Sequence, residues 1–360
     1  MQDHRDRLPP AGRPPRMGRL RAAIGHDLGV DLGTANTLIF LRGRGVVLAQ
    51  PSFVAIDTNE GALIGAGEEA REMLGRTPSH IEVIRPLQSG VISDLDAAQA
   101  MLREFILRVH HRRRLAKPRV VVCVPSGVTM IERRAVEEAV LQAGARHVQI
   151  VSEPLAAAIG AGLPVDEPRG SMVVDVGGGT TEVAVLVLGS ILASTSLRVA
   201  GDAIDAAIVN SIRKQHAVLI GERTAEKVKQ QAASAWPGVR DVNADIVGRD
   251  LTTGRPKRIR LTAEELREGI AEPVDDISDA VVSVFDKLPP EIVRDIARSG
   301  IVLTGGGALL AGLDRRLSRD VGVAVHVDNE PLSCVARGAG ILLDRLSELP
   351  AKQRRRFRRS

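Results

Sequence analysis

Two stretches decide the fold of this chain, Val30-Asp31-Leu32-Gly33-Thr34-Ala35-Asn36-Thr37 and Val174-Asp175-Val176-Gly177-Gly178-Gly179-Thr180-Thr181. In each, an apolar run ends in an aspartate and is followed by glycine, by hydroxyl side chains and by another β-rich run, at 38–40 and 183–187. Glycine lets backbone N–H groups close around an anion, and hydroxyl groups add donors. An aspartate at each strand end suits Mg²⁺, which keeps several waters and takes few carboxylates. Two such hairpins facing each other would hold the phosphates of one nucleotide between two halves of a protein.

Length and composition predict a soluble globular protein of two domains. The chain has 360 residues, of which 44% are hydrophobic and 26% charged. It has no apolar run of about 18 residues, the mark of a transmembrane helix, and its N-terminus lacks the apolar centre of a secretory signal. We therefore expect a cytoplasmic protein whose two cysteines, Cys123 and Cys334, are reduced core thiols.

The positive charge lies in the two tails. Residues 1–26 carry a net charge of +4 and residues 351–360 carry +6, so the body between them is mildly acidic although the whole chain is at +5. This distribution argues against a nucleic-acid-binding surface and favours tails that meet an anionic membrane, with solvated disordered tails as the alternative. Met17, Leu20 and Ile24 have helical spacing and form a candidate amphipathic helix, although Met17 is also an alternative start of the chain.

Predicted strands and helices alternate around the two motifs. Strands are predicted at 45–48, 53–56, 120–125, 148–151 and 301–304, and helices at 96–115, 129–143 and 156–162. Thr129 and Glu132 have the spacing of a capping box. The alternation is typical of an α/β fold, and the two halves read as duplicates of one unit.

Two further features point to a nucleotide. Gly305-Gly306-Gly307-Ala308 lies between a predicted strand and a helix predicted to start near Leu309, where the backbone can approach a base or ribose closely. Alone, this cluster would fit a sharp turn. Glu153 ends a strand and opens a helix with Pro154 in its first turn. It could orient a water that attacks a γ-phosphate, or it could serve only as a partner of the helix dipole.

Together these motifs resemble the MreB family, the bacterial actin homologues that govern rod shape. The resemblance covers about residues 25–345. Besides the two phosphate motifs, it is carried by Gly75-Arg76-Thr77-Pro78, Ile84-Arg85-Pro86, Gly90-Val91-Ile92, Val122-Cys123-Val124-Pro125, the run from Glu153-Pro154 to Gly160, and Leu303-Thr304-Gly305-Gly306-Gly307.

The resemblance implies an actin-like ATPase fold, in which two RNase H-like domains face a central cleft that holds ATP and Mg²⁺. Domain I would comprise residues 25–167 and 337–350, with a small subdomain at about 55–87. Domain II would comprise 168–336, with a small subdomain at about 204–267. Residues 1–24 and 351–360 would be basic extensions.

The resemblance also assigns site residues by position. The implied catalytic residues are Glu153, Asp175 and Thr180, and Asp31 and Asp175 would hold Mg²⁺ through water. The implied nucleotide-binding residues are Thr34, Ala35, Asn36, Gly177, Gly178, Gly179, Glu226, Lys229, Gly305, Gly306, Gly307 and Ala308.

Three positions depart from the usual family pattern. Ser152 replaces the first of two consecutive glutamates, Gln231-Ala232-Ala233 replaces an isoleucine-glycine pair, and the segment 110–117 is basic where some members have an apolar membrane loop.

The resemblance implies a filament-forming protein that determines cell shape by organising cell-wall synthesis at the inner face of the membrane, with slow ATP hydrolysis coupled to polymerisation. Its implied partners are further copies of itself, the anionic membrane surface and cell-wall elongation proteins, and it would be MreB or a close paralogue. A small-molecule kinase or phosphatase of the same superfamily is the alternative. A seventy-kilodalton heat-shock chaperone fits poorly because the chain ends at Ser360 without a peptide-binding domain.

Overall fold

The computed structural model describes residues 26–110 and 117–348. Its strands are β1 (Leu28–Leu32), β2 (Asn36–Leu41), β3 (Gly45–Pro51), β4 (Val54–Asp57), β5 (Ala62–Ala66), β6 (Ile81–Ile84), β7 (Leu87–Gln88), β8 (Val91–Ile92), β9 (Arg119–Val124), β10 (His147–Ser152), β11 (Ser171–Val176), β12 (Thr181–Val187), β13 (Ser190–Leu197), β14 (Val218–Leu219), β15 (Ala244–Asp250), β16 (Pro256–Leu261), β17 (Ile301–Thr304) and β18 (Val325–Val327). Its α-helices are α1 (Glu68–Met73), α2 (Leu95–Val109), α3 (Met130–Gln142), α4 (Glu153–Gly160), α5 (Gly201–His216), α6 (Glu222–Ala232), α7 (Ala263–Gly269), α8 (Ala271–Phe285), α9 (Pro290–Ser299), α10 (Leu313–Val321) and α11 (Cys334–Glu348).

Two five-stranded mixed sheets of identical topology form the frame. The first has the order β10-β9-β1-β2-β3 and the second the order β18-β17-β11-β12-β13. In each, the central strand pairs antiparallel with the next strand along the chain and parallel with a later one. The duplication predicted from the two motifs is therefore confirmed at the level of the sheets.

The pairing register places the two motifs at equivalent points. Asp31 lies opposite Leu38 on β2, and Asp175 lies opposite Glu182 on β12. Both aspartates thus stand near the carboxyl end of a central strand, immediately before a glycine turn. Because the parallel neighbours β9 and β17 end at the same edges, the residues that follow them also reach these edges.

Helices α4 and α11, which follow the outer strands β10 and β18, pack backbone to backbone. A Cβ atom at Gly160 would lie 1.8 Å from the Cys334 carbonyl oxygen, and one at Gly338 would lie 1.9 Å from that of Ala156. Between the two sheets, these helices share a buried apolar core with Val121 and other strand residues. The close approach holds the start of α4 against the frame.

Two three-stranded sheets, β5-β4-β6 and β14-β15-β16, lie outside the frame. They fall at the places where the small subdomains were predicted, 55–87 and 204–267. The boundaries of the domains and subdomains stay predictions.

The structure corrects three predicted helices. The helix predicted at 96–115 ends at Val109, and the one predicted to reach 162 ends at Gly160, while its start at Glu153 agrees with the prediction. The helix predicted near Leu309 is only a 3₁₀ turn, Gly306–Leu309, because Gly312 in the left-handed region interrupts the chain before α10. The capping box of Thr129 and Glu132 is confirmed.

Several predicted features lie outside the described residues, namely the extensions 1–24 and 351–360, the amphipathic helix from Met17, and most of the basic segment 110–117. Within the described ranges, no helix is both long and apolar enough to cross a membrane.

Candidate functional site

The glycine loops of both halves line one cavity of about 820 Å³. The residues predicted for catalysis, for Mg²⁺ and for nucleotide binding all line it except Ala308: Asp31, Thr34, Ala35, Asn36, Glu153, Asp175, Gly177, Gly178, Gly179, Thr180, Glu226, Lys229, Gly305, Gly306 and Gly307. Ala308 is buried beside its loop. The structure therefore brings together, from positions spread over the chain, nearly every residue that the sequence singled out.

The two phosphate loops touch each other across the cleft. A Cβ atom at Gly178 would lie 2.5 Å from the Ala35 Cβ, and one at Gly179 would lie 2.6 Å from the Thr34 Oγ1. The first loop is braced from behind, because the Ser52 hydroxyl donates to the Gly33 carbonyl at 2.7 Å. Side chains larger than hydrogen in the second loop would push the loops apart.

Asp31, which is half-buried, and Asp175, which is buried, place two acids at the floor of the cleft. Burial and the neighbouring charge of Asp175 raise the pKa of Asp31 to about 8. Burial raises the pKa of Asp175 to about 6, although the Thr304 hydroxyl, which donates to its Oδ1 at 2.8 Å, opposes the rise. Among the described residues these two carboxylate groups have no cationic partner, and they form an oxygen donor set that a divalent cation would neutralise.

The two acids are suited to hold Mg²⁺ through water molecules and not to enclose it with side chains alone. Among the described residues, no group of three or more histidine, cysteine, aspartate or glutamate side chains is arranged to hold a metal ion. Two carboxylates from different halves that line one cavity match the way Mg²⁺ is usually bound beside a nucleotide.

Glu153 stands at the N-terminus of α4, with Pro154 in the first turn as predicted. Its side chain is buried, and burial together with the charges of Asp31 and Asp175 raises its pKa well above the usual range. Thr180, the last residue of the second phosphate loop, is also buried and lines the same cavity. The altered neighbour Ser152 makes no side-chain cap to the helix.

The third glycine loop packs on the end of β11. A Cβ atom at Gly305, which has φ +83°, would lie 2.3 Å from the Val176 carbonyl oxygen, and one at Gly307 would lie 2.3 Å from the Val176 Cγ1. Leu309 and Leu332 project beside this loop into the cavity and stay about half exposed. Sequence reasoning missed these two apolar residues, which provide a surface for a flat ring.

Both predicted residues of α6 face the cleft but already have partners. The Lys229 ammonium donates to the Gly201 carbonyl and to Asp205, each at 2.8 Å. Glu226 pairs with Arg71, which comes from α1 on the opposite side of the cleft.

A second cation also bridges the cleft. Arg85 lies 3.3 Å from Asp202 and 3.4 Å from Glu222, both in the second half. Arg85 belongs to a motif that carried the family resemblance, yet no pattern in the sequence indicates that it lies at the cleft. For Arg71 the sequence offered no signal, because its role depends on how the halves face each other.

The family model described as MreB/Mbl protein matches residues 25–351. The chain belongs to the MreB/Mbl family. It is 45% identical over 327 residues to the cell shape-determining protein Mbl of Bacillus subtilis, covering 91% of this chain and 98% of that protein. It is 47% identical over 331 residues to the cell shape-determining protein MreB of Escherichia coli, covering 91% and 95%.

Solved structures of the MreB/Mbl family and of a more distant protein share the fold. Spiroplasma citri MreB5 bound to AMPPNP superposes with a TM-score of 0.85 at 35% identity, covering 90% of this chain and 97% of that one. The same protein bound to ADP gives 0.85 at 34% identity, covering 91% and 98%. The MamK double helical filament, at 23% identity and a TM-score of 0.72 with 90% and 99% covered, shares the fold alone. The predicted actin-like ATPase fold, with two domains facing a central cleft, is thus confirmed.

Proposed function

We propose that this protein binds ATP and Mg²⁺ and forms cytoskeletal filaments that determine cell shape. The observation that carries the proposal is the convergence of three glycine loops and of three acids, Asp31, Glu153 and Asp175, on one cavity between two sheets of identical topology. Similar proteins are named for cell shape, and the similar MreB5 binds AMPPNP and ADP. Family membership favours this function over a small-molecule kinase, phosphatase or chaperone.

Different groups of residues bind the phosphates, the adenosine and the cation. Backbone N–H groups and hydroxyls of Thr34–Asn36 and Gly177–Thr180 bind the phosphates. The loop Gly305–Gly307 and helix α6, with Glu226 and Lys229, hold the adenosine, and Leu309 and Leu332 contact the base. Asp31 and Asp175 hold the hydrated cation, which when bound offsets the charge of the phosphates.

Hydrolysis would use Glu153 and Thr180. Glu153, at a helix N-terminus and among other carboxylates, holds and orients a water for attack on the γ-phosphate. Thr180 supports that water from the second phosphate loop. Turnover is slow in this proposal because the water is fully ordered only after subunits stack and the cleft closes.

Filaments would form by head-to-tail stacking of copies, since a heterologous contact that does not close gives an open chain. The shared fold is compatible with this, as MamK forms a double helical filament. We place the filaments at the inner face of the membrane, where the basic extensions 1–24 and 351–360 meet anionic lipid and cell-wall elongation proteins assemble. The mildly acidic net charge of the body argues against nucleic acid as a partner.

Light scattering and electron microscopy of the pure protein test the proposal, with ATP, ADP or no nucleotide and with or without anionic liposomes. We expect filaments with ATP and Mg²⁺, and pelleting with liposomes that is lost when both extensions are removed. Absence of filaments under every condition would contradict the filament function, and rapid phosphoryl transfer to a sugar would favour the kinase. Full pelleting of the truncated protein would contradict the membrane role of the extensions.

A further inference from the structure

Glu182 is a buried carboxylate for which the proposed mechanism has no use. It lies on β12 directly opposite Asp175, is 1% exposed and does not line the cavity. Burial raises its pKa, and hydrogen bonds from Ser126 and Ser196 oppose that rise. Removing a carboxylate from water costs free energy unless hydrogen-bond donors surround it. The donors that contact Glu182 therefore indicate its role.

The contacts of Glu182 come from both halves of the molecule. From the first half, Ser126 donates its backbone N–H at 3.0 Å and its hydroxyl at 2.5 Å to the Oε2 atom. From the second half, the hydroxyl of Ser196 on β13 donates to the Oε1 atom. The Oε2 atom therefore binds the first half, and the Oε1 atom binds the neighbouring strand of the sheet to which Glu182 belongs.

The turn that Glu182 holds leads directly to the phosphate loops. A Cβ atom at Gly90 would lie 2.7 Å from both Pro125 Cγ and Thr180 Cγ2, so the turn after β9 and the second loop meet at Gly90. The Gly90 N–H in turn donates to the Thr34 Oγ1 of the first loop at 2.9 Å. Glu182 thus secures a junction where both phosphate loops are in contact.

The same turn also fixes the end of β10, the strand that leads to Glu153. Ser152 pairs in parallel register with Val124, only two residues before Ser126, and Glu153 follows at once. A shift of the end of β9 relative to the second half would therefore shift the end of β10. Glu182 is also near enough to Glu153 for its charge to raise the pKa of that residue.

We propose that Glu182 is a positioning residue for ATP hydrolysis, which fixes the Ser126 turn of the first half against the second phosphate loop. In this way it sets the place of Glu153 relative to the terminal phosphate held by the Thr180 loop. Glu182 does not touch the nucleotide. The inference rests on the proposed ATPase function, and it adds a residue that acts through the contact between the two halves.

Ser126→Ala and Ser196→Ala form a matched pair that tests this role. Each removes one hydroxyl from the same carboxylate, but only Ser126 belongs to the other half. We expect Ser126→Ala to lower kcat for ATP hydrolysis about tenfold, the size of one lost hydrogen bond to a charged group, with Kd for ATP changed less than about twofold. Ser196→Ala should keep kcat within about twofold of the unchanged protein.

Two variants of Glu182 separate geometry from charge. Glu182→Gln keeps a carbonyl oxygen for Ser126 and an amide that can donate to the Ser196 hydroxyl, so it should retain most of kcat. Glu182→Leu copies Leu38, its counterpart in the first half, and should lower kcat at least as far as Ser126→Ala.

Phosphate release at saturating ATP, nucleotide affinity and thermal midpoint are measured for each variant. Equal loss of kcat in the two serine variants, or an unchanged kcat in Ser126→Ala, would overturn the inference even if Glu182→Leu does not fold. A loss in Glu182→Gln as large as in Glu182→Leu would also overturn it, because charge would then be the requirement. If the unchanged protein neither binds nor hydrolyses ATP, the proposed function itself fails.

Discussion

The two central strands β1 and β11 occupy equivalent places, yet their aspartates have different neighbours. Asp31 lies between Cys123 and Leu38, whereas Asp175 lies between Thr304 and Glu182. Among the described residues, only Asp175 receives a hydroxyl hydrogen bond, from Thr304, and the pKa is raised to about 8 for Asp31 but to about 6 for Asp175. The duplicated topology thus places both acids, while the side chains on adjacent strands decide how readily each one ionises.

The outer strands show a second difference of the same kind. β10 leads to Glu153, which lies among other carboxylates and has no ion pair in the part of the chain that the structure describes. β18 leads to Asp328, which pairs with Arg337 at 2.9 Å. Burial acts to raise the pKa of Asp328, but its hydrogen bonds and the charge of Arg337 lower it below the usual value. Of these two equivalent acids, only Glu153 lines the cavity and is without an ion pair among the described residues, so the site is asymmetric although the frame is not.

Replacing Glu153 and Asp328 by the corresponding amides should give the largest difference in the rate of ATP hydrolysis. Glu153→Gln is expected to bind ATP normally but to hydrolyse it about 100-fold more slowly, since a positioned acid–base group contributes about that much. Asp328→Asn, its counterpart in the second half, should leave hydrolysis within about twofold. Phosphate release and nucleotide affinity measure both. Unchanged turnover in Glu153→Gln would remove this residue from the mechanism.

The next largest effect should come from α4 and α11, where the equivalent helices of the two halves meet. Alanine at Gly160 or Gly338 would place a Cβ atom 1.8 or 1.9 Å from a carbonyl oxygen. Either substitution should therefore destabilise the protein by about 3 kcal/mol, because backbone cannot yield as a side chain can.

Thermal unfolding measures this effect, and Gly65→Ala is the control. The atoms nearest to a Cβ atom there would belong to the flexible Glu69 side chain, the closest at 3.5 Å. Its midpoint should stay close to that of the unchanged protein, while the helix variants lose several degrees. A normal midpoint for Gly338→Ala would show that the helices can separate without cost, and the halves would then be less tightly joined than the structure indicates.

How much could be predicted from the sequence depended on the range of the interaction. The phosphate loops, the start of α4 and the capping box of Thr129 follow from local patterns, and the structure agrees with them. The pairing of Arg71 with Glu226 joins residues 155 positions apart, and no local pattern marks it. Glu182 reads in sequence as part of a β-rich run, and its contact with Ser126 emerges only when the two halves face each other.

The smallest effect should appear in the pH dependence of the nucleotide-free protein. A folded-state pKa above the unfolded value of 3.8 means that stability is fully present below about pH 4 and is lost as pH rises through the folded pKa. That loss extends to about pH 8 for Asp31 but ends near pH 6 for Asp175. Between pH 6 and 8, therefore, Asp31 should continue to reduce the stability after the contribution of Asp175 has ended.

Asp31→Asn and Asp175→Asn make this difference measurable without nucleotide or Mg²⁺. Asp31→Asn should raise the thermal midpoint at pH 8 by a few degrees and flatten its decline above pH 6, because the amide cannot become charged in the buried site. Asp175→Asn should keep the part of the decline that burial of Asp31 causes, but the decline should end at a lower pH, because the charge of Asp175 no longer raises the pKa of Asp31. The same decline in both variants would mean that the two acids titrate as an equivalent pair, and that the hydroxyl of Thr304 does not distinguish the two halves.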